Sequence, residues 1–398
     1  MPALARFATT INLTVPPARA GEFRALRLGS LSIWPPVVLA PMAGVTNYPF
    51  RTLCRGFGAG LYVSEMITAR GFLEGNARTH LLASSHAEEW PRSVQIYGSD
   101  PVEIGEMARR LAAEGVQHID MNFGCPAPKI TRRGGGSAIP LKPRLMARLV
   151  RAAVSGAGAV PVTIKVRKGI DDHLLTYLDA GRVAEDEGAA AIGLHARTAA
   201  QLYAGDSDWG AIAALKASVR IPVLGNGDVW ECWDALRMLR ATGCDGIIVG
   251  RGCLRRPWLF AELAAVFDGR EPPPQPRLGE IVALMRRHAE LLVGFFGPTI
   301  GIRHMRKWCA WYTSGFRGAG ELRANLARVD SLDTMLALLG RLDPEEPFPL
   351  DALRQSRAKD ARRQMVRLPR GYLDARDDDA PPPPVEDLAG WDAALSGG

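Results

Sequence analysis

Short apolar runs alternate with longer amphipathic stretches between residues 27 and 268. Most of these runs begin about 25 to 30 residues apart, which is the length of one strand plus one helix in a parallel α/β fold. Eight such units in about 240 residues predict a (β/α)8 barrel rather than an open sheet. The runs expected to form the strands are residues 37–40, 61–64, 93–96, 118–121, 161–166, 191–194, 221–224 and 246–249.

The segments on either side of residues 27–268 lack this alternation of strand-like and helix-like stretches. Residues 1–26 show no strong periodicity and are interpreted as an N-terminal extension. Residues 26–33 are expected to form a hairpin that closes the bottom of the barrel. The barrel domain, 27–268, ends at a proline-rich linker over 269–276, because three consecutive prolines cannot continue a helix.

Helical periodicity returns after the linker. Residues 278–296, 300–313 and 321–339 predict helices separated by glycine and proline, and together they indicate a small all-helical domain over 278–345. Over 346–398 we expect one basic helix, 351–367, followed by an acidic tail without stable structure.

The net charge of +7 is unevenly distributed. Residues 371–398 carry seven acidic side chains and one arginine, so the preceding chain carries +13. A chain this basic suits a polyanionic partner, although the charge alone is equally compatible with simple solubility.

The acidic tail could compete with RNA for the basic part of the chain. In that case deleting residues 371–398 should tighten non-specific RNA binding, whereas unchanged affinity would mean that the tail only contributes to solubility.

The remaining composition excludes several classes of protein. No apolar run is long enough for a membrane span, and arginines interrupt the N-terminus where a secretory signal would need an apolar run. The six cysteines are dispersed without zinc-ligand spacing, so neither a metal site nor a disulfide framework is expected. A cytoplasmic protein is the simplest interpretation.

Polar or glycine-rich residues follow nearly every predicted strand, which is where barrel enzymes carry their active sites. The last two strands end in Gly225-Asn226-Gly227 and Gly250-Arg251-Gly252. Glycines there let backbone N–H groups approach an anion, and Arg251 adds a positive charge. Either glycine pair alone is more simply a tight turn, but both in register with strands seven and eight favour a phosphate site.

The fifth predicted strand combines apolar and cationic residues. By alternation, Thr163, Lys165 and Arg167 share the face opposite Val162 and Ile164. Two cations on the inner face of a barrel would be costly without an anionic or electron-rich ligand. The alternative is that this face is solvated near the rim.

Cys125 follows the fourth predicted strand, in a long, basic and glycine-rich loop. If Lys129 and Arg132 approach it, the pKa of its thiol should be lowered, which would make it a reactive cysteine. The alternative is a buried structural cysteine, which is the interpretation for the other five.

At these strand ends the chain resembles the tRNA-dihydrouridine synthases, most closely the bacterial B-type group. The resemblance covers residues 27–340, and its most specific part is N-x-G-C-P combined with a K-x-R strand and N-G-D. The glycine-rich loop after Cys125 is more basic than is usual in the family. The motifs are APMAGVTNYPFR (40–51), VSEM (63–66), VQIYGSDP (94–101), DMNFGCPAPKI (120–130), VTIKVRKG (162–169), LHARTAAQLYAG (194–205), LGNGDV (224–229) and VGRGCLRRPW (249–258).

The resemblance implies FMN at the barrel mouth, NADPH as its reductant and uridines of tRNA as the substrate. Hydride would pass from flavin N5 to uracil C6, and Cys125 would protonate C5. Pro41, Met42 and Ala43 would line the edge of the isoalloxazine. Further FMN contacts would come from Gln95 and Lys165 at the ring and from His195, Asn226, Gly227, Asp228, Gly250 and Arg251 at the ribityl phosphate.

Binding of a folded RNA requires contacts to its phosphates, because the target base must be flipped out. Arg303, Arg306 and Lys307 fall on one helical face by their spacing, opposite the apolar Ile302 and Met305. An ordinary solvated face is the alternative. We expect these three residues, and Arg132 and Arg133 near Cys125, to contact the tRNA of a monomeric enzyme.

Two rival functions remain open from the sequence. A flavin enzyme acting on a free pyrimidine, like dihydroorotate dehydrogenase, would share the barrel and the lysine but would have no use for the basic helical domain. A non-catalytic RNA-binding protein on the same barrel would lack a reducible yellow cofactor.

Overall fold

Eight parallel strands close into a barrel in this computed structural model, which describes residues 14–58, 60–86, 88–354 and 362–382. Each strand pairs with the next along the chain, and the last pairs with the first, which confirms the predicted (β/α)8 barrel. All eight predicted strands are present. They are β3 (Val37–Leu39), β4 (Leu61–Thr68), β5 (Ser93–Tyr97), β6 (His118–Phe123), β7 (Val162–Arg167), β8 (Ala191–His195), β9 (Val223–Asn226) and β10 (Gly246–Val249).

An antiparallel hairpin precedes the barrel, as predicted. It pairs β1 (Leu26–Leu28) with β2 (Leu31–Ile33). Its four apolar side chains are buried against residues that point into the barrel, including Val38, Leu224 and Ile248. The hairpin therefore closes the bottom of the barrel, and ligands can reach the interior only from the carboxyl ends of the strands.

Helices cover the outside of the barrel because the outward faces of its strands are apolar. Their starts follow local capping rules; at the start of α4, for example, the Asp100 carboxylate accepts a hydrogen bond from the backbone N–H of Val102 at 2.7 Å. The helices of this layer are α1 (Tyr48–Arg55), α2 (Ala69–Leu73), α3 (Ala77–Ala83), α4 (Pro101–Ala113), α5 (Pro128–Thr131), α6 (Pro143–Ala157), α7 (Tyr177–Asp186), α8 (Trp209–Ser218), α9 (Cys232–Thr242) and α10 (Leu259–Phe267). No helix of the described ranges is long and apolar enough to span a membrane.

The predicted helical domain follows the linker. Its helices are α11 (Leu278–Phe296), α12 (Pro298–Tyr312), α13 (Ala319–Leu326) and α14 (Leu332–Leu339). The single helix predicted over 321–339 is therefore two helices, because the Ser331 hydroxyl accepts a hydrogen bond from the backbone N–H of Thr334 and starts a new helix. Trp308 of α12 stacks on Phe50 of α1 with 4.5 Å between the ring centroids, so this domain shares its core with the barrel.

The C-terminal region differs from expectation. Residues 350–352 form one turn of 3-10 helix, and residues 362–369 have no regular secondary structure, so the described part of the predicted basic helix is not an α-helix. Residues 371–377 of the acidic tail form turns and residues 378–382 have no regular secondary structure; the segment packs on the barrel through the buried Tyr372. Residues 1–13, 355–361 and 383–398 of the predicted extension, helix and tail lie outside the described ranges.

Candidate active site

A cavity of about 320 Å³ opens at the carboxyl ends of the barrel strands. The cavity is lined by Cys125 and by every residue that the sequence analysis assigned to a cofactor. These residues come from seven of the eight strands and the loops that follow them. The lining from that set consists of Pro41, Met42, Ala43, Gln95, Cys125, Lys165, His195, Asn226, Gly227, Asp228, Gly250 and Arg251.

Asn122, at the end of β6, holds the beginning of the Cys125 loop. Its side-chain oxygen accepts hydrogen bonds from the backbone N–H groups of Gly124, at 3.1 Å, and Cys125, at 2.9 Å. Its amide nitrogen donates to the side-chain oxygen of Gln95 at 2.8 Å. The direction in which the loop leaves the strand is thereby fixed from inside the barrel.

The contact between Asn122 and Gln95 continues into the barrel interior as a buried hydrogen-bond network. Gln95 donates to one Asp120 oxygen at 2.7 Å, and the Thr163 hydroxyl donates to the other at 2.6 Å. His118 lies beneath them, 3.0 Å from the Thr163 hydroxyl and 2.7 Å from the Ser93 hydroxyl. Burial lowers the pKa of His118 to about 3, so this imidazole is neutral at neutral pH.

Burial also raises the pKa of the Asp120 carboxyl to about 6, against the opposing effects of its hydrogen bonds and of Lys165. Since the folded-state pKa lies above that of an exposed aspartate, this group stabilises the fold fully below about pH 4 and loses that contribution as the pH rises to about 6. The shift corresponds to about 3 kcal/mol of unfolding free energy.

Asp120→Asn is therefore expected to flatten this pH dependence. The stability of the wild type relative to the variant should fall between about pH 4 and pH 7, by an amount of that order. Urea denaturation of both proteins across this range measures the difference. Parallel stability profiles would show that Asp120 does not titrate in this window.

Cations dominate the inner wall of the cavity. The Lys165 ammonium donates to the side-chain oxygen of Asn226 at 3.0 Å, and Arg167 donates to the carbonyl oxygens of Gly124, Thr198 and Leu202. Burial, together with the neighbouring Arg167 charge, lowers the pKa of Lys165 to about 8. The partners of both cations are neutral oxygens, so an anionic or electron-rich ligand would stabilise them.

The inner face of β7 explains how Lys165 reaches this position. Gly193 is its register partner on β8, and a side chain at Gly193 would lie 2.6 Å from Ile248. The predicted alternation is therefore confirmed, with Val162 and Ile164 buried on the outer face and Lys165 lining the cavity.

Arg251 is held in place by aromatic rings and a carboxylate. The carbon of its guanidinium lies 4.4 Å from the ring centroid of Tyr203 and 4.9 Å from that of Trp230. Asp228 pairs with Arg251 at 3.4 Å and with Arg197 at 2.8 Å. Asp228 therefore fixes the positions of both arginines, while its own negative charge would repel an anion.

Backbone requirements explain the glycines beside these arginines. Gly227 has φ of +130°, and a side chain on it would lie 2.7 Å from Ser207. A side chain on Gly252 would lie 2.2 Å from the carbonyl oxygen of Val229, which brings the loops after β9 and β10 into direct contact. The two glycine-rich segments thus form one continuous wall of the cavity.

His195 completes this wall at the end of β8. Burial lowers the pKa of its imidazole well below the usual value, and the nearby cations Arg167 and Lys165 act in the same direction. The ring is therefore neutral and offers one hydrogen-bond donor and one acceptor.

The expectation of a lowered thiol pKa at Cys125 is wrong. Burial raises the pKa of this thiol, and the charges of Arg167 and Lys129 oppose the rise without cancelling it. Cys125 is half-buried and faces the cavity, whereas the other five cysteines are buried elsewhere; all six are free. A thiol that stays protonated is suited to donate a proton rather than to attack as a nucleophile.

The residues expected to contact RNA differ in their exposure and in their contacts within the protein. Arg132, Arg133 and Arg303 are exposed. Arg306 donates to the carbonyl oxygen of Val329 at 2.8 Å, and Lys307 donates to that of Gly44 in the loop after β3. Arg306 and Lys307 thus each hold a backbone carbonyl of the protein, and contact of Arg303, Arg306 and Lys307 with tRNA stays a prediction.

Three residues of the site were absent from the sequence-based assignment. They are Asn122, which fixes the Cys125 loop, and Tyr203 and Trp230, which stack on Arg251. The sequence could have indicated Asn122, because this polar residue stands at the end of a predicted strand, directly before the loop with Gly124 and Cys125. Nothing in the sequence around Tyr203 and Trp230 indicates their role, because it depends on contact with a loop distant in sequence.

Among the described residues, no group of three or more His, Cys, Asp or Glu side chains is arranged to hold a metal ion.

The fold and the cavity define a (β/α)8-barrel enzyme with a cationic ligand site and one thiol at its mouth. A sequence profile described as dihydrouridine synthase matches residues 38–343, and the chain belongs to this family of oxidoreductases.

Curated relatives agree with this membership. A protein named probable tRNA-dihydrouridine synthase from Mycobacterium tuberculosis is 51% identical over 385 residues, covering 94% of this chain and 97% of its own length. One of the same name from Mycobacterium leprae is 51% identical over 86% of this chain and 96% of its own length. The tRNA-dihydrouridine synthase B of Pseudomonas aeruginosa is 38% identical over 78% of this chain and 94% of its own length.

Proposed function

We propose that this chain reduces the C5–C6 double bond of uridines in tRNA, using FMN bound in the barrel cavity and NADPH as the source of electrons. The observation that carries the proposal is the single cavity that joins the Cys125 thiol to Lys165, Arg251 and the glycine-rich loops. The family membership and the names of the curated relatives support the same substrate class.

The donor set of the cavity fits FMN. Lys165 and Arg167 line the cavity as cations with neutral hydrogen-bond partners, and such cations suit an electron-rich ring. Arg251 supplies a fixed charge for a phosphate beside the glycines. The residues that would hold the cofactor are Pro41, Met42, Ala43, Gln95 and Lys165 at the ring and His195, Asn226, Gly227, Asp228, Gly250 and Arg251 at the phosphate end.

FMN held by these residues would supply the hydride chemistry at C6 of the uracil ring, which is a property of the cofactor itself. The protein must supply the proton at C5. Cys125 holds that proton on its sulfur at neutral pH because burial raises the pKa of the thiol. It lies at the cavity on a loop whose first backbone N–H groups are fixed by Asn122. Cys125 is therefore the general acid, and water at the open mouth reprotonates it.

The tRNA would approach from the mouth, where Arg132 and Arg133 are exposed on the Cys125 loop. Arg303 is exposed on α12, and Lys307 of the same helix reaches the loop after β3 that lines the cavity. The helical domain thus gives phosphate contacts a defined position relative to the flipped base.

Arg303→Glu is expected to weaken tRNA binding several-fold and to lower the slope of log K against log salt by about one, because one phosphate contact is lost. Binding titrations at three or more salt concentrations measure both effects. Arg220→Glu is the matched control, since this arginine is 93% exposed at the amino end of β9, opposite the mouth. Equal affinity and slope for wild type and Arg303→Glu would remove α12 from the tRNA footprint.

Mapping of dihydrouridine in tRNA from a strain that lacks this gene tests the proposed function in the cell. The loss of dihydrouridine at one or more positions, restored by the wild-type gene, is expected. Unchanged dihydrouridine at every position would refute the proposal. Turnover of free uracil or dihydroorotate without turnover of tRNA would favour an enzyme of free pyrimidines.

A further inference from the structure

Residues 362–382, here called the C-terminal strap, return to the barrel and lie across the loop that carries Cys125. Gln364 makes the first contact. Its side-chain nitrogen donates to the carbonyl oxygens of Pro126, at 2.8 Å, and Ala199, at 3.1 Å, and its backbone N–H donates to Ala200 at 2.9 Å. The residue after Cys125 is thereby tied to the loop after β8.

Tyr372 makes the second contact, at the far side of the same loop. Its hydroxyl lies 3.2 Å from the carbonyl oxygen of Gly134 and 3.4 Å from that of Ala138, and these two acceptors share its one proton. Its ring is buried in a small apolar cluster with Ala138, Leu141 and Ile170. Burial of this ring gives the strap an anchor that does not depend on surface charge.

Charged residues reinforce the anchor. Asp378 pairs with Lys142 at 2.9 Å, and Asp379 pairs with Arg148 at 3.3 Å. Arg376 donates to the carbonyl oxygen of Leu141 at 3.2 Å. Exposed ion pairs contribute little individually, but these fix the direction in which the strap crosses residues 141–148.

The far end of the loop, residues 134–136, consists of three glycines and has no side chains with which to hold its shape. Gly136 has φ of +55°, and a side chain on it would lie 2.5 Å from the carbonyl oxygen of Cys125. Gly134 has φ of +74°, and a side chain on it would lie 2.8 Å from the Tyr372 ring and 2.9 Å from Pro382. The strap therefore packs where the loop has only backbone.

We propose that the C-terminal strap is a positioning element, in which Gln364 and Tyr372 hold the Cys125 loop in its place beside the cavity. Its effect on the reaction rests on the proposed function, whereas its effect on the exposure of the thiol does not. Because Gln364 and Tyr372 act on the loop backbone, the strap sets the position of the acid and leaves its identity unchanged.

The rate at which iodoacetamide alkylates each cysteine of the full-length protein tests this proposal, with peptide mass spectrometry as the readout. Tyr372→Ala and Gln364→Ala are each expected to raise the Cys125 rate about tenfold, because local opening of the loop becomes easier. The buried cysteines Cys54, Cys232 and Cys309 report global unfolding in the same sample.

Three matched variants serve as controls. Leu373→Ala and Met365→Ala change exposed neighbours on the same strap and should leave the Cys125 rate unchanged. Tyr372→Phe keeps the ring in the apolar cluster and should restore the rate to within about threefold of wild type, because it loses only the two hydroxyl contacts.

A rise confined to Cys125 supports the proposal. An unchanged Cys125 rate in Tyr372→Ala and Gln364→Ala overturns it, and so does an equal rise at all cysteines, which would mark a purely structural role. In turnover with tRNA, Tyr372→Ala should lower kcat about tenfold with little change in KM. If the wild type does not reduce tRNA, the proposed function fails, while the alkylation rates still decide whether the strap holds the loop.

Discussion

Cys125→Ala is expected to lower the rate of tRNA reduction by about 100-fold or more, the usual contribution of a general acid, while flavin stays bound. The alanine cannot protonate C5, and no other described cysteine faces the cavity. The residues assigned to FMN are untouched by the change. Dihydrouridine formed in an unmodified tRNA transcript and the flavin absorbance per protein chain measure the two properties separately.

Cys309→Ala is the control for this substitution, since it removes a thiol from α12, buried in the core of the helical domain. Its turnover of tRNA should stay within about threefold of wild type, because the thiol serves only packing. Full activity of Cys125→Ala would mean that another group or a water molecule delivers the proton, and the assignment of the acid would fall.

Arg251→Ala is expected to weaken FMN binding by about 10- to 100-fold, so that the purified protein loses its yellow colour on dialysis. Tyr203, Trp230 and Asp228 hold this guanidinium at the cavity, so its charge is in place before the cofactor arrives. A charge-assisted hydrogen bond to a phosphate in such a setting is among the stronger single polar contacts. Fluorescence titration of the apoprotein with FMN measures the change.

Arg251→Lys separates charge from geometry and should bind FMN with intermediate affinity, because lysine lacks the planar fork and stacks less well. Arg237→Ala is the control, since Arg237 also stacks on a tryptophan, Trp209, at 5.5 Å but does not line the cavity. Wild-type affinity for FMN in Arg251→Ala would remove the loop after β10 from the phosphate site.

The barrel and its cavity could be predicted from the sequence for a physical reason. Parallel strands buried on both faces must be apolar runs, so each strand stands out, and the site occupies the few positions where that pattern stops. Lys165 on a valine-rich strand and the glycines around Asn226 and Arg251 were visible in this way. A lysine on a buried strand and repeated glycines at strand ends are not needed to form a strand or a helix, so both point to a ligand site.

What the sequence did not reveal depends on contacts between distant segments. The pKa of Cys125 depends on how deeply its loop is buried, which basic neighbours in sequence do not indicate. Lys307 has the spacing of a surface residue but donates to Gly44, more than 250 residues away in the sequence. The acidic composition of the tail gave no indication that Tyr372 is buried. A lone buried residue in an irregular segment produces no periodic pattern in the sequence.

Anaerobic single turnover shows whether reduced flavin and Cys125 together reduce tRNA. Protein whose flavin has been reduced with one equivalent of NADPH is mixed with unmodified tRNA transcript, and flavin absorbance and dihydrouridine are followed together. We predict that tRNA restores the oxidised flavin spectrum with one dihydrouridine formed per flavin, and that Cys125→Ala does so about 100-fold more slowly. Flavin that stays reduced with tRNA but is reoxidised by a free pyrimidine would contradict it.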